Sequence, residues 1–295
     1  MKKMKPRTKQ KIKAYFWLAP ALILTLIFKY YSFFKSVFQS FFLVNNKGLN
    51  AKFVGLRNYI EVLQQADFQS AVLTTVKLTI ISVPISLIIS LSLALLAQKR
   101  RRLSPAYESM FTLPMAMSVS VVVMIFQFML NPTLGIINQW MGTRISWFYD
   151  AKYLLIALIV LQVWMNIGFE FIYYLAALRG IPSELLECAS LDGAHGFRYL
   201  QKIILPLISP TTFFLLCTEF AKSMMIASPL IIIQSTTQNN TTTSALKTII
   251  YYMYNYAFQR SNYSYAYVAS TIGFLLTLAV MILSFHFEKK GVHYN

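Results

Sequence analysis

The amino-acid sequence predicts an all-α membrane protein with six transmembrane helices. Hydrophobic residues make up 57% of the 295 residues, whereas charged residues make up only 13%, and the mean hydropathy is +0.54. A soluble domain of this length is considerably less apolar. The apolar residues occur in six long runs, and a helix needs roughly 20 apolar residues to cross the hydrocarbon core of a bilayer.

These runs divide the chain into segments. The third run, 109–143, is longer than one span because it also contains an external loop with Asn131, Pro132 and Gly135. The predicted segments are a basic tail (1–14), the first transmembrane helix (15–44), an external segment (45–70), a five-helix core (71–288) that contains a polar loop (181–205), and a second basic tail (289–295).

The basic residues predict how the chain is oriented. The net charge is +17, but Lys and Arg cluster at the ends of the apolar runs, a distribution that argues against a nucleic-acid partner. Sixteen of them lie in the two tails and in alternate loops, and seven lie on the opposite side. By the positive-inside rule, both termini and the polar loop at 181–205 are expected in the cytoplasm.

The polar loop is expected to form two short helices. Glu184 and Glu187 fall in the first turns after Pro182, where the helix dipole favours negative charge. Asp192 and Gly193 are expected to end this helix, because glycine readily adopts the left-handed conformation found at helix ends. A second helix is expected over roughly 196–203, leading into the fifth span.

The fifth span carries an unusual pair of charges. Glu219 lies thirteen residues after Pro206, which is about 20 Å along a helix and near the membrane centre. A lone charge there costs roughly 2.5–3.5 kcal/mol. Lys222 follows at i+3, so each charge is expected to offset part of the cost of the other. An ionisable pair at this depth indicates a functional site.

The fourth span presents polar and apolar side chains one turn apart. Gln162 and Asn166 share one face, and Met165 and Phe169 form an adjacent apolar pair, an arrangement suited to a ring with hydroxyl edges and an apolar face. Ordinary interhelical packing is the alternative, because Asn and Gln often bond between membrane helices. Glu170 is expected to pair with a basic residue of a partner chain.

No motif for catalysis is present. The sequence lacks a GxxxxGK[ST] phosphate loop, HExxH and CxxC, and His195, His286 and His293 are too scattered to suggest a metal site. The chain is therefore not expected to be an enzyme, to hydrolyse ATP or to carry a cofactor or metal of its own.

The polar loop contains a spaced motif. It reads Glu187-Cys188-Ala189, then three residues, Gly193, nine residues and Ile203-x-Leu205-Pro206. This spacing resembles the EAA loop of ABC-importer permeases, whose pattern is EAA, three residues, G, nine residues and I-x-L-P. The second residue is Cys rather than Ala, a small-for-small change.

Further segments extend the resemblance along nearly the whole chain. Residues 53–59 (FVGLRNY) resemble the FVGLxNY external segment of carbohydrate-type permeases, residues 181–185 resemble IPxEL, residues 192–194 resemble DGA, and residues 251–265 resemble the YxYxxAF segment. The chain thus resembles the permease subunits of sugar and glycerol-3-phosphate importers.

This resemblance implies a type I ABC-importer permease core with a cytoplasmic coupling helix, in a bacterial cell membrane. It implies that the chain forms half of a translocation pathway with a second permease subunit, above two ATPase subunits that bind ATP and below an extracytoplasmic solute-binding protein. The residues implied to contact the ATPase are Glu184, Glu187, Ala189, Asp192, Gly193 and Ala194. Those implied to line the substrate cavity are Gln162, Met165, Asn166, Phe169, Glu219, Lys222 and Ser223.

Some alternatives remain open at this point. The solute is expected to be a sugar or oligosaccharide, but Lys222 would equally suit an anionic solute such as an acidic sugar or glycerol-3-phosphate. A stand-alone ion-coupled carrier is a third interpretation, although such carriers usually have more spans or an inverted repeat. The family's TxGGP-like turn after the fifth span is replaced here by QSTTQNN at 234–240, which leaves gating or partner recognition at that loop undefined.

Overall fold

The structure of the protein, a computed structural model, describes residues 6–45, 48–185, 187, 196–237 and 246–291. Five helical segments are long and apolar enough to cross a membrane, and one bent pair of helices forms a sixth if it is counted as a single span. The six-span, all-α prediction is therefore confirmed. The spans are Trp17–Gln39, Ala66–Ala97, the bent pair Ser104–Ala116 and Val119–Met129, Lys152–Arg179, Ser209–Thr236 and Tyr263–His286.

In the part of the chain that the structure describes, the helices and strands are accompanied by three π-helical turns, at Leu26–Tyr31, Leu200–Ile204 and Asn255–Gln259. In chain order they are α1 (Pro6–Thr25), α2 (Ser32–Gln39), β1 (Phe42–Val44), β2 (Asn50–Phe53), α3 (Arg57–Gln64), α4 (Ala66–Ala97), α5 (Ser104–Ala116), α6 (Val119–Met129), α7 (Ile136–Met141), α8 (Ala151–Arg179), α9 (Gly196–Tyr199), α10 (Leu205–Leu207), α11 (Ser209–Met224), α12 (Ser228–Thr237), α13 (Ile249–Tyr254) and α14 (Tyr263–Gly291).

The chain folds as two compact units. The first comprises Met1–Gln64 and Met253–Ile272, and the second comprises Gln65–Tyr252 and Gly273–Asn295. Helix α14 contributes residues to both units.

The first unit contains a β-hairpin. Strands β1 and β2 pair antiparallel, with Phe42 opposite Phe53. The buried amide of Asn58 donates to the carbonyl oxygens of Ser40 and Phe42 at 3.1 and 2.9 Å. The Ser264 hydroxyl accepts a hydrogen bond from the Val44 amide at 2.8 Å. These bonds satisfy backbone groups that the short hairpin leaves unpaired.

The third span is broken between α5 and α6, which meet at a bend of 103°. Met117 and Ser118 adopt extended backbone angles, and the Ser118 hydroxyl accepts a hydrogen bond from the Val121 amide at 3.4 Å, as an N-cap residue does. The apolar run at 109–143 gave no sign of this break, because hydropathy does not register backbone angles.

The core of the second unit is built on α4 and α8, which run parallel. Arg179 bonds to the carbonyl oxygens of Ala97 and Gln98 at one end, and Glu170 bonds to Ser86 and Ser90 further along. Residues about 82 positions apart in the chain therefore lie at the same level. Helix α11 packs against both helices.

A glycine allows α5 to approach α8 closely. A Cβ atom placed on Gly168 of α8 would lie 3.2 Å from both the Met115 amide nitrogen and the Thr112 carbonyl oxygen of α5. Backbone atoms cannot move aside as a flexible side chain can. Small residues at such crossings are a common means of bringing membrane helices together.

Candidate functional site

The predicted residues of the fourth span lie on α8 and differ in exposure. Gln162 is buried, whereas Met165, Asn166 and Phe169 are partly exposed. Their spacing of three and four residues places them on neighbouring parts of one helix surface. The accessible part of this surface is therefore formed by the last three residues.

On α11, the predicted pair of opposite charges forms an ion pair. Lys222 Nζ lies 2.8 Å from Glu219 Oε1 and 3.9 Å from the centre of the Phe169 ring on α8. A cation over an aromatic face is attracted by the negative face of the ring. Lys222 is thus held by two groups, one from its own helix and one from the neighbouring span.

The two charges of this pair are unequally accessible. The Glu219 side chain is fully buried, while half of the Lys222 side chain is exposed. Ser223 is also buried. The charge that this surface presents is therefore positive, and the compensating negative charge lies beneath it.

Two aromatic residues that the sequence interpretation did not select continue this surface. The Tyr173 ring lies 4.7 Å from the Phe169 ring and 5.3 Å from the Phe214 ring on α11, measured between ring centres. Tyr173 and Phe214 are exposed at 39% and 46%. We call the three rings of Phe169, Tyr173 and Phe214, which lie beside Lys222, the aromatic strip. The spacing of Phe169 and Tyr173 on one helix was a usable signal, but the contribution of Phe214 depends on how the helices pack.

Glu170 does not present its carboxylate to a partner chain, and that expectation is wrong. It is fully buried, and its two carboxylate oxygens accept hydrogen bonds from the hydroxyls of Ser86 at 2.7 Å and Ser90 at 2.6 Å. Both serines lie on α4, one helical turn apart. The carboxylate is therefore bound within this chain.

The interior next to the aromatic strip is polar. Six buried side-chain atoms have no hydrogen-bond partner among the residues that the structure describes. Asn166 Nδ2 and Glu219 Oε2 are among them. The offset of about 82 residues between α4 and α8 places Ser82 close to the level of Asn166. The six atoms are Thr79 Oγ1, Ser82 Oγ, Gln162 Oε1, Asn166 Nδ2, Glu219 Oε2 and Ser223 Oγ.

The coupling segment, which we define as residues 184–194 of the polar loop, is described only in part. Glu184 and Glu187 are exposed and helical, in agreement with the expected first short helix. The other four residues implied to contact the ATPase, Ala189, Asp192, Gly193 and Ala194, lie outside the described residues. The second short helix begins at Gly196 with α9 and continues through the π-helical turn Leu200–Ile204.

An arginine joins three spans beside this segment. Arg179, the last residue of α8, donates from Nη2 to Glu108 Oε1 on α5 at 2.6 Å and from Nη1 to Glu108 Oε2 at 3.4 Å. It also donates to the carbonyl oxygens of Ala97 and Gln98 at the end of α4. These last carbonyl groups of a helix have no intrahelical partner, so the guanidinium ties the ends of α4, α5 and α8 together.

A protein-family model described as "Binding-protein-dependent transport system inner membrane component" matches residues 86–291. The match covers more than half of the chain and includes α8, the coupling segment, α11 and the last span. The chain belongs to this family of ABC-importer permeases. It is accordingly a multi-pass membrane protein and a transport subunit.

Full-length relatives are similar to this permease. The sn-glycerol-3-phosphate transport system permease protein UgpA of Agrobacterium fabrum is 31% identical over 288 residues, which cover 97% of each chain. The protein of the same name from Brucella suis is 30% identical, also over 97% of each chain. Because the similarity extends over nearly the whole length, it includes the first span and the hairpin that precede the family match.

Solved transporters share the fold of the permease. One chain of a bacterial alginate ABC transporter, in complex with an alginate pentasaccharide-bound periplasmic protein, superposes with a TM-score of 0.84 at 23% identity over 98% of both chains. A second structure, of an ABC transporter involved in the import of the acidic polysaccharide alginate, gives 0.83 at 24% identity over 96% of both chains. The expected type I importer permease core is thus confirmed.

Proposed function

We propose that this permease carries a sugar or oligosaccharide across the bacterial cell membrane, after an extracytoplasmic solute-binding protein delivers it. The observation that carries this proposal is the aromatic strip of Phe169, Tyr173 and Phe214 beside Lys222. Aromatic rings stack on the apolar faces of sugar rings, while an ammonium and an amide such as Asn166 bond to the hydroxyl edges. The resemblance to carbohydrate-type permeases supports the same class of solute.

The permease forms one half of the pathway in this proposal. A second permease subunit supplies the other half, and two ATPase subunits bind and hydrolyse ATP. ATP closes the ATPase pair, and the coupling segments then move the helix bundles between inward-facing and outward-facing states. The exposed positions of Lys222 and the aromatic strip support a role facing the second half of the pathway.

The coupling segment is proposed to dock on an ATPase subunit in the cytoplasm, with both chain termini on the same side. Its proposed contacts are Glu184, Glu187, Ala189, Asp192, Gly193 and Ala194. Exposure of Glu184 and Glu187 supports such contacts, and Gly193 would let the partner surface approach the backbone closely.

An anionic solute is the second candidate. The observation that favours it is the unequal burial of the ion pair, which leaves the positive Lys222 accessible and the negative Glu219 hidden. A carboxylate or phosphate would gain a charge-assisted hydrogen bond there. The relatives named for sn-glycerol-3-phosphate support this candidate.

Reconstituted vesicles test the proposed function. Vesicles that contain this chain with its companion permease, ATPase subunits and solute-binding protein are expected to accumulate solute only when ATP is supplied. ATP-independent uptake by this chain alone would instead indicate a stand-alone carrier and would refute the proposal.

Substitution of Tyr173 tests the role of the aromatic strip. Tyr173→Ala is expected to raise the apparent KM for an oligosaccharide roughly three- to tenfold, because a stacked aromatic contact contributes about 0.5–1.5 kcal/mol. Tyr173→Phe keeps the ring and should stay near the wild type. Equal behaviour of the two variants would contradict the role of the ring.

Substitution of Lys222 separates the two solute classes. If the solute is anionic, Lys222→Gln should weaken uptake of acidic oligosaccharides far more than uptake of neutral ones of the same length. If the solute is neutral, both should change by a similar factor. Lys152→Gln, a lysine at the first turn of α8, provides a matched control for loss of one positive charge.

The coupling role is tested separately. Glu187→Ala and Gly193→Val are expected to weaken co-purification of the ATPase subunits, while the amount of permease inserted in the membrane stays unchanged. Unaltered ATPase association in both variants would refute the assignment of this segment.

A further inference from the structure

A cavity with a positively charged lining opens beside the coupling segment. Its volume is about 700 Å³. Its lining includes Gln98, Lys99 and Arg100, which follow α4, and Arg179, Ser183 and Tyr199, which flank the two ends of the coupling segment. The cavity is separate from the aromatic strip and takes no part in the solute pathway proposed above.

The charges of this cavity are poorly compensated. Lys99 and Arg100 are exposed, and neither forms an ion pair with any residue that the structure describes. Glu108, the nearby carboxylate, already pairs with Arg179. An anion in this cavity would therefore meet two exposed cationic side chains that form no ion pair among the described residues.

Arg179 retains one donor for a ligand. A guanidinium carries five N–H groups, and four of them donate to Glu108, Ala97 and Gln98. The fifth is on Nη1. Together with the hydroxyls of Ser183 and Tyr199, it offers hydrogen-bond donors of the kind that phosphate oxygens accept.

Exposed apolar side chains on either side of the basic run indicate where the anion comes from. Leu96 and Leu103 precede and follow the basic run 99–102, and they are exposed at 77% and 72%. Basic groups next to apolar groups at the end of a span match the boundary between lipid headgroups and acyl chains. A free phosphate would gain nothing from the two leucines.

We propose that this cavity binds the phosphate headgroup of an anionic phospholipid of the cytoplasmic leaflet. The proposal depends on the cytoplasmic placement of the loop given under the proposed function. Ser183 and Tyr199 lie on opposite sides of the coupling segment, so a headgroup bonded to both would hold the ends of the segment together. Anionic lipid would thereby favour the arrangement that docks on the ATPase.

Direct binding measurements test the proposal. Short-chain phosphatidylglycerol is titrated into the assembled transporter in a neutral detergent, and bound lipid is counted by native mass spectrometry. The detergent removes the surface potential of a membrane, so that binding reports the cavity itself. Phosphatidylcholine of the same chain length and inorganic phosphate are titrated in parallel.

Two matched variants locate the site. The double variant Lys99→Gln/Arg100→Gln removes the basic residues that line the cavity, and Arg101→Gln/Arg102→Gln removes the same charge from the same loop outside the lining. The first is expected to bind phosphatidylglycerol roughly 30-fold more weakly, since each basic residue contributes about 1 kcal/mol toward an anionic lipid. The second is expected to bind nearly as the wild type does.

Other outcomes would overturn the proposal. One is an equal loss of phosphatidylglycerol binding in both double variants, and another is the absence of any preference for phosphatidylglycerol over phosphatidylcholine. A third is binding of inorganic phosphate as tight as that of the lipid. The fourth is loss of ATPase association in the Lys99→Gln/Arg100→Gln variant without loss of bound lipid. The last would assign the cavity to a protein contact instead. Labelling of Lys99→Cys from only one side of the membrane, in a Cys188→Ser/Cys217→Ser background, checks the placement of the loop independently. Because lipid binding requires no transport, its failure is distinguishable from failure of the proposed function.

Discussion

The hydroxyl of Ser90 lies 2.6 Å from Oε2 of Glu170, within a fully buried cluster that also includes Ser86. Ser90 on the second span and Glu170 on the fourth are 80 residues apart in the sequence. The two spans thus share a specific polar contact in an environment where apolar packing alone gives little selectivity between helices. We infer that this contact fixes the register of α4 against α8.

Removal of the Ser90 hydroxyl is expected to destabilise the permease. Ser90→Ala leaves a buried carboxyl oxygen without its donor, at a cost of about 1–3 kcal/mol. The measurement is thermal unfolding of the purified protein in detergent. Ser92→Ala is the matched control, because Ser92 is exposed on the same helix and bonds to the Ile88 carbonyl of its own helix. Equal melting temperatures for the two variants would show that the buried contact contributes nothing.

Close approach of α5 and α8 leads to a second prediction. Gly168→Ala would place a methyl group 3.2 Å from two backbone atoms of α5, so the helices must separate. We expect a loss of about 1–3 kcal/mol, as for other overpacked sites, and Gly168→Val should be worse.

The control for this substitution is Gly273→Ala. At Gly273 the nearest atom, at 3.0 Å, belongs to the Ile249 side chain rather than to the backbone of a neighbouring helix. The Gly273 variant should therefore unfold closer to the wild-type temperature. A larger effect at Gly273 than at Gly168 would refute the distinction between backbone and side-chain neighbours.

The guanidinium of Arg179 supports a third prediction. Arg179→Lys keeps the charge but cannot bond to Glu108 and to the ends of α4 at the same time. The side chains are partly exposed, at 23% and 26%, so we expect a loss of about 1–2 kcal/mol rather than the larger cost of a fully buried pair.

A double-mutant cycle with Glu108→Gln measures the contribution of the Arg179–Glu108 pair by itself. For comparison, Arg57→Lys alters an ion pair with Glu61 whose arginine side chain is 76% exposed. There a much smaller loss is expected, because solvent screens an exposed ion pair. A cycle that gives no coupling between Arg179 and Glu108 would contradict the proposed joining of the three spans.

Much of the fold could be predicted because its signals are local. The apolar runs gave the number of spans, and the i, i+3 spacing of Glu219 and Lys222 gave their ion pair, since helix geometry brings such residues together. The spacing of the motif in the loop gave the family. None of these inferences required knowledge of which helices are neighbours.

Other features depend on packing and could not be predicted in this way. The partners of Glu170 lie on α4, and only the parallel arrangement with α8 brings Ser86 and Ser90 to the carboxylate. Phe214 joins the aromatic strip for the same reason. The bend at Met117 and Ser118 depends on two extended residues inside an apolar run, where composition is uniform.

The buried charge of Glu219 leads to the last prediction. Glu219→Gln keeps a hydrogen-bonding group beside Lys222 but removes the negative charge beneath it. Lys222 then presents an uncompensated positive charge, so uptake of acidic oligosaccharides should gain relative to uptake of neutral ones of the same length. The expected shift is opposite in sign to that of Lys222→Gln.

The measurement is the ratio of kcat/KM for the two solutes in reconstituted vesicles. Ser223→Ala is an uncharged control one position from Lys222. If Glu219→Gln and Lys222→Gln shift the ratio in the same direction, the ion pair does not set the charge of the solute surface.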